Sequence, residues 1–117
     1  MMKYLIVLND PPYGTERSYN GLRLAGSLAR RDDVELKVFL FADAVGCALP
    51  NHKVPDGYYH LDRMVTAAVR HGAEVGCCGT CLDARGHTDA SLLEGVHRST
   101  LDEVTEWTVW ADKVITF

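Results

Sequence analysis

Three of the four cysteines fall within five positions, in Gly76-Cys77-Cys78-Gly79-Thr80-Cys81. Cysteine attacks sulfur as the thiolate, and a free thiol with a pKa near ~8.5 is mostly protonated at neutral pH. A thiol at a helix start meets unsatisfied backbone N–H groups and the positive end of the dipole, and both favour ionisation. Cys78 stands where an apolar run, residues 73–77, gives way to a helical segment, residues 79–85. It is therefore the candidate nucleophile. A thiolate there is suited to hold a persulfide, one of the reversible caps of a reactive cysteine. Arg85 and His87, close in sequence, are candidate sources of positive potential.

The same residues admit other chemistry. Cys78-Gly79-Thr80-Cys81 is a CxxC pair, the spacing of a thiol redox protein, although the element order is not that of thioredoxin. Cys77, Cys78 and Cys81 with a histidine such as His87 would make a four-ligand zinc set. No second CxxC and no HxxxH supports it, so no metal is expected. Cys47 and Cys77 read as core residues, because free cysteine packs like a small hydrophobe. Pro12-Tyr13-Gly14-Thr15 precedes a helix but lacks the glycine and lysine of GxxxxGK[ST]. No nucleotide, and no other cofactor, is expected.

The elements that must position Cys78 follow from apolar spacing. Residues 3–8 form a short apolar run stopped by Asn9-Asp10-Pro11-Pro12, as a buried parallel strand should be. Thr15 is a candidate N-cap for a helix marked by Leu22, Ala25, Leu28 and Ala29 and ended at Arg30-Arg31. Residues 34–41 form a second strand, and residues 50–57 a loop. Leu61, Met64, Val65 and Ala68 mark a second helix, closed by His71-Gly72. The third strand and short third helix bracket Cys78. Residues 88–93 suggest a helical turn, 95–97 a very short strand. Thr100-Leu101-Asp102-Glu103 is a capping box for a helix leading to a last strand at 113–117.

Strands alternating with helices over 117 residues predict one α/β domain spanning the whole chain, 1–117. The expected architecture is a flavodoxin-like three-layer sandwich with five mostly parallel strands in the order 2-1-3-4-5. In that order the ends of strands 1 and 3 are neighbours, so Asp10, Tyr13 and Thr15 would line the site of Cys78.

A net charge of −4 with scattered basic residues argues against direct nucleic-acid binding. No run reaches the ~20 apolar residues of a membrane span, and no signal segment is recognised, so a cytoplasmic location without membrane attachment is expected. Thiols stay reduced there, and the cysteines read as chemistry or core before disulfides.

Several segments together resemble the DsrE/DsrF-like sulfur-relay family. They are Leu5-Ile6-Val7 leading to Pro12-Tyr13-Gly14-Thr15, Val38-Phe39-Leu40-Phe41 followed by Asp43-Ala44-Val45, Cys78 with the downstream Arg85-Gly86, and the ending from Trp110 to Phe117. The resemblance implies a flavodoxin-like domain assembled as a homotrimer or homohexamer, in some members with homologous subunits. It implies acceptance of sulfane sulfur on Cys78 and delivery to a partner protein, with sulfur donor and acceptor proteins as partners. Gly79 and Cys81 depart from the small apolar residues expected after the active cysteine, and put a second thiol within a turn. Two alternatives stand beside the relay: a redox protein using Cys78 and Cys81, and a non-catalytic small-ligand or assembly module. Trp107 and Trp110 on the last helix read as core or subunit contacts, which agrees with self-association.

Overall fold

A computed structural model describes Met1–Phe117, apart from the side chain of Ala90. The apolar runs become strands β1 (Met2–Leu8), β2 (Val34–Leu40), β3 (Glu74–Cys78), β4 (Val96–Ser99) and β5 (Lys113–Thr116). The helices are α1 (Arg17–Ala29), α2 (Leu61–Arg70), α3 (Gly79–Ala84) and α4 (Leu101–Trp110). Ala42–Ala48 and Asp89–Ser91 are 3₁₀ segments. Every strand pairing is parallel, as expected.

The strand order is β4-β3-β2-β1-β5, which corrects the expected 2-1-3-4-5. β2 lies between β1 and β3, and β5 takes the other side of β1. The burial of β2 gives the physical reason. Val38, Phe39 and Leu40 have no exposed surface, and a strand buried on both faces wants neighbours on both sides. β5 exposes Lys113, Val114 and Thr116 and suits an edge. The chain therefore changes direction in the sheet between β1 and β5. The crevice favoured in open α/β sheets opens there, not beside β3. Asn9 Nδ2 closes it on the carbonyl of Phe117 at 3.2 Å.

Alternation along the strands assigns faces. Leu8, Leu40 and Cys77 are register partners on one face, while Val7, Phe39 and Gly76 share the other. α1 covers the first face: a methyl at Gly21 would strike Leu8 Cδ2 and lie 3.1 Å from the ring of Phe117. That contact explains a mid-helix glycine despite its cost of about 1 kcal/mol in propensity. α2 packs beside α1. α4 covers the second face, with Trp107 over Gly76 and edge-on to Phe39 at 6.1 Å. Cys77 thus points to the α1/α2 side, and Cys78, one residue on, to the side of α4.

Thr15 does not cap α1. The helix starts at Arg17 with Glu16 at its cap. Thr15 Oγ1 instead donates to Asp10 Oδ2 at 2.8 Å, and Ser18 Oγ donates to the Asp10 carbonyl at 2.6 Å. The short-range turn of Asp10 wins the hydroxyl because the side chain reaches it without reaching along the helix. The capping box at Thr100 is half formed. Thr100 Oγ1 accepts from the Glu103 N–H at 3.2 Å, but the Glu103 carboxylate turns to Ser99 and His97.

Candidate functional site

Cys78 ends β3 and caps α3, as its position between an apolar run and Gly79 predicts. Only 9% of its surface is exposed, and that surface faces a cavity of about 320 Å³. Phe41 and Leu101 give the cavity apolar walls, Thr80, Ser99 and Thr100 give it hydroxyls, and Arg98 closes one side. The Cys78 sulfur lies 3.3 Å from Thr80 Oγ1. Burial pushes this thiol up, but the Cys81 thiol, the Thr80 hydroxyl and the backbone N–H groups of Cys81 and Thr80 all favour its thiolate. The net direction is down.

The other three thiols move the opposite way. Burial pushes Cys47 and Cys77 up to about 12, which leaves them inert core residues. Cys81 is also raised, first by burial and then by its interaction with Cys78. Two groups oppose that rise: the Ala42 N–H, which donates to Cys81 Sγ at 3.2 Å, and the charge of Arg85. Arg85 Nη1 donates to the Cys81 carbonyl at 3.0 Å, and its Nε and Nη2 reach Asp43 Oδ1 at 2.9 and 2.8 Å. Arg85 therefore serves Cys81 and ties α3 to the segment after β2. His87 does not line the Cys78 cavity.

Asp10, Tyr13 and Thr15 are not brought to Cys78. They do not line its cavity, and β2 separates the two strand ends. Tyr13 binds into a different network. Its hydroxyl meets His52 Nδ1 at 2.8 Å and accepts from the Leu61 N–H at 3.3 Å. His52 Nε2 lies 3.0 Å from the Gly46 carbonyl. A carbonyl can only accept, so Nε2 carries the proton and Nδ1 accepts from Tyr13. Tyr13 and Thr15 line a separate opening of about 280 Å³ with Pro12, Tyr58 and Tyr59.

Arg98 is the site residue that the sequence reading missed. Its guanidinium packs over Gly79, where a Cβ would lie 2.8 Å from Nε and 2.9 Å from Cζ. Asp83 clamps it through two bonds of 2.9 and 2.7 Å, and Asp89 stands 3.5 Å away. Such a two-bonded arginine–carboxylate pair is among the stronger polar contacts. The available signal was the glycine directly after the candidate nucleophile, since glycine marks a close approach. Among the described residues, no three His, Cys, Asp or Glu side chains gather as a metal set. Nor is any described helix long and apolar enough to cross a membrane.

The geometry defines an all-parallel, five-stranded α/β fold with Cys78 facing a cavity at the end of β3. The chain belongs to the DsrE/DsrF-like family, whose model matches residues 2–117. It is 40% identical to Protein YchN of Escherichia coli K12 over 118 residues, covering 100% of both chains. The crystal structure of the E. coli ychN protein matches over 100% of both chains with a TM-score of 0.93. An uncharacterized protein of Methanopyrus kandleri, MK0008, is 34% identical over 112 residues, 96% of this chain and 91% of its own length. A protein of unknown function from Methanobacterium thermoautotrophicum, MTH1491, shares the fold alone: TM-score 0.79 at 15% identity, covering 100% of both chains.

Proposed function

We propose that the protein carries sulfane sulfur as a persulfide on Cys78 and passes it to a partner protein. The Cys78 thiolate attacks the outer sulfur of a donor persulfide, R–S–SH. A bond forms between Cys78 Sγ and that sulfur, the donor S–S bond breaks, and R–S⁻ leaves and takes up a proton. Delivery is the same exchange in reverse, with an acceptor thiolate attacking the outer sulfur. The carrying observation is that Cys78, alone among the four thiols, is shifted toward the thiolate while facing a cavity. Family membership supports a sulfur relay, and a reducing cytoplasm, the expected location, suits a free thiolate.

The cavity measures about 320 Å³. A single water needs only roughly 15 Å³ of such space. There is room for the terminal sulfur and for part of the donor that brings it. Self-association as a homotrimer or homohexamer belongs to the same reading. Leu101 at the cavity rim is 71% exposed, and Val109 on the same helix is 83% exposed. Exposed apolar residues beside a site favour a covering partner. A second copy over Leu101 would shelter a persulfide from bulk thiols.

The test is intact-protein mass spectrometry after incubation with a sulfane-sulfur donor. The reading predicts a gain of about 32 Da per sulfur, removed by reductant. Cys78→Ser abolishes it, and Cys47→Ser leaves it intact. A gain that survives Cys78→Ser would defeat the proposal.

A further inference from the structure

The second thiol of the pair has surroundings of its own, and they are those of a sulfur built to ionise late. Cys81 Sγ accepts from the Ala42 N–H at 3.2 Å. Ala42 holds φ at 50°, in the left-handed region that residues other than glycine seldom adopt. A strained position whose N–H is aimed at a sulfur points to function. Arg85 adds its charge and fixes the approach, bonded to the Cys81 carbonyl on one side and to Asp43 on the other. Asp43 belongs to the same 3₁₀ segment as Ala42, so α3 and that segment are clamped together across the thiol. Cys81 follows Cys78 by three residues, one turn into α3, and each thiol influences the ionisation of the other.

We infer that Cys81 resolves the Cys78 persulfide, which makes the protein a sulfide-releasing persulfide reductase as well as a carrier. This rests on the carrier reading, because the persulfide must first form. In the step, the Cys81 thiolate attacks Cys78 Sγ. A Cys78–Cys81 disulfide forms, the bond from Cys78 Sγ to the outer sulfur breaks, and HS⁻ leaves. The sulfane sulfur gains two electrons, and each cysteine sulfur gives up one. The proton lost from Cys81 goes to the negatively charged terminal sulfur, which therefore leaves as HS⁻. A dithiol reductant then restores both thiols and closes the cycle.

Loading Cys78 is what releases Cys81. In the unloaded pair, the negative charge of the Cys78 thiolate disfavours a second thiolate at Cys81. Once sulfur is added, the charge moves out by one S–S bond, ~2.0 Å, to the terminal atom. The Ala42 N–H and Arg85, which favour the Cys81 thiolate, then act with less opposition. Cys81 attacks only after there is sulfur to remove. An oxidised pair would likewise have no thiolate at Cys78 and would accept no further sulfur.

The experiment loads fully reduced protein briefly with inorganic polysulfide, removes the donor, and follows intact mass and free sulfide over time. Native protein passes from the gain of about 32 Da to a species about 2 Da below the reduced chain, with one sulfide released per chain. Cys81→Ser and Cys81→Ala, loaded until the mass gain is complete, keep the extra sulfur roughly tenfold longer or more, because the nearby thiol is gone. Arg85→Gln loads like native and resolves more slowly. Equal persulfide lifetimes in native and Cys81→Ser protein would overturn the inference while leaving the carrier intact. Failure of Cys78 to load in any variant would overturn both.

Discussion

The guanidinium of Arg98 lies over the backbone of Gly79, so the wall of the Cys78 cavity is built on the one residue type that leaves room for it. Asp83 holds Arg98 with two bonds and denies it an easy retreat. Gly79→Ala should therefore destabilise the domain by about 1–3 kcal/mol, the range for overpacking at a fixed contact. Thermal melting measures this. Arg98→Ala in the Gly79→Ala background should recover part of the loss, and strict additivity of the two changes would remove the contact from the account.

Cysteine alkylation should follow the order of the thiol environments. At pH 7, Cys78 should react first, because its pKa is lowered while those of the other three thiols are raised, which gives it the largest thiolate fraction. Its rate should rise with pH and level off at a lower pH than that of Cys81, whose pKa is raised. Cys47 and Cys77, pushed up to about 12 and buried, should react only when the chain unfolds. Peptide mapping after timed alkylation reads all four. Early labelling of Cys81 ahead of Cys78 would mean that the wrong sulfur carries the activity.

Tyr13 belongs to the His52 network, and its removal should register in stability. Tyr13→Phe leaves His52 Nδ1 and the Leu61 N–H without their partner. The cost should be about 1–3 kcal/mol, the range for unsatisfied buried groups. Sulfur loading at Cys78 should be unchanged. A variant that melts like the native chain but loads slowly would place Tyr13 back at the thiol.

Gly21 tests the strand order. Only with β5 beside β1 can Phe117 and Leu8 both press on the first turns of α1. Gly21→Ala should lower stability by about 1–3 kcal/mol through that crowding, even though alanine is the better helix former. Phe117→Ala should relieve part of the effect. A stabilising Gly21→Ala would contradict the packing of α1 on this corner.

Most elements were legible from apolar spacing, and so was Cys78 at the junction of a strand and a helix. What was lost lies in the third dimension. Both strand orders obey the crossover rules, and the choice depends on β2 being buried on both faces, which its Glu35 and Lys37 disguise. Lys37 reaches the surface by packing its ammonium 4.7 Å from the Trp110 ring centroid and 2.9 Å from Glu74, so a charge inside the strand signals no edge. With β1 instead of β2 expected on one side of β3, the loop of Asp10, Tyr13 and Thr15 was expected at Cys78. The pairing of β4 with β3 was expected, but the strand read at 95–97 stopped short of Arg98, and its register sets Cys77 opposite Arg98 and Cys78 opposite Ser99. No local pattern announces such a register. The 3₁₀ segment Ala42–Ala48 escaped for a similar reason: its first residue is held by the sulfur of a distant cysteine.

The central claim is that sulfane sulfur sits on Cys78, and locating that sulfur tests it most directly. Reduced Cys81→Ser protein is loaded with inorganic polysulfide, freed of donor, alkylated, digested and mapped by tandem mass spectrometry. Of the remaining thiols, Cys78 should carry the additional sulfur, a gain of about 32 Da on its alkylated peptide, while Cys47 and Cys77 carry none. Extra sulfur found on Cys47 or Cys77, or on no cysteine at all, would contradict the account.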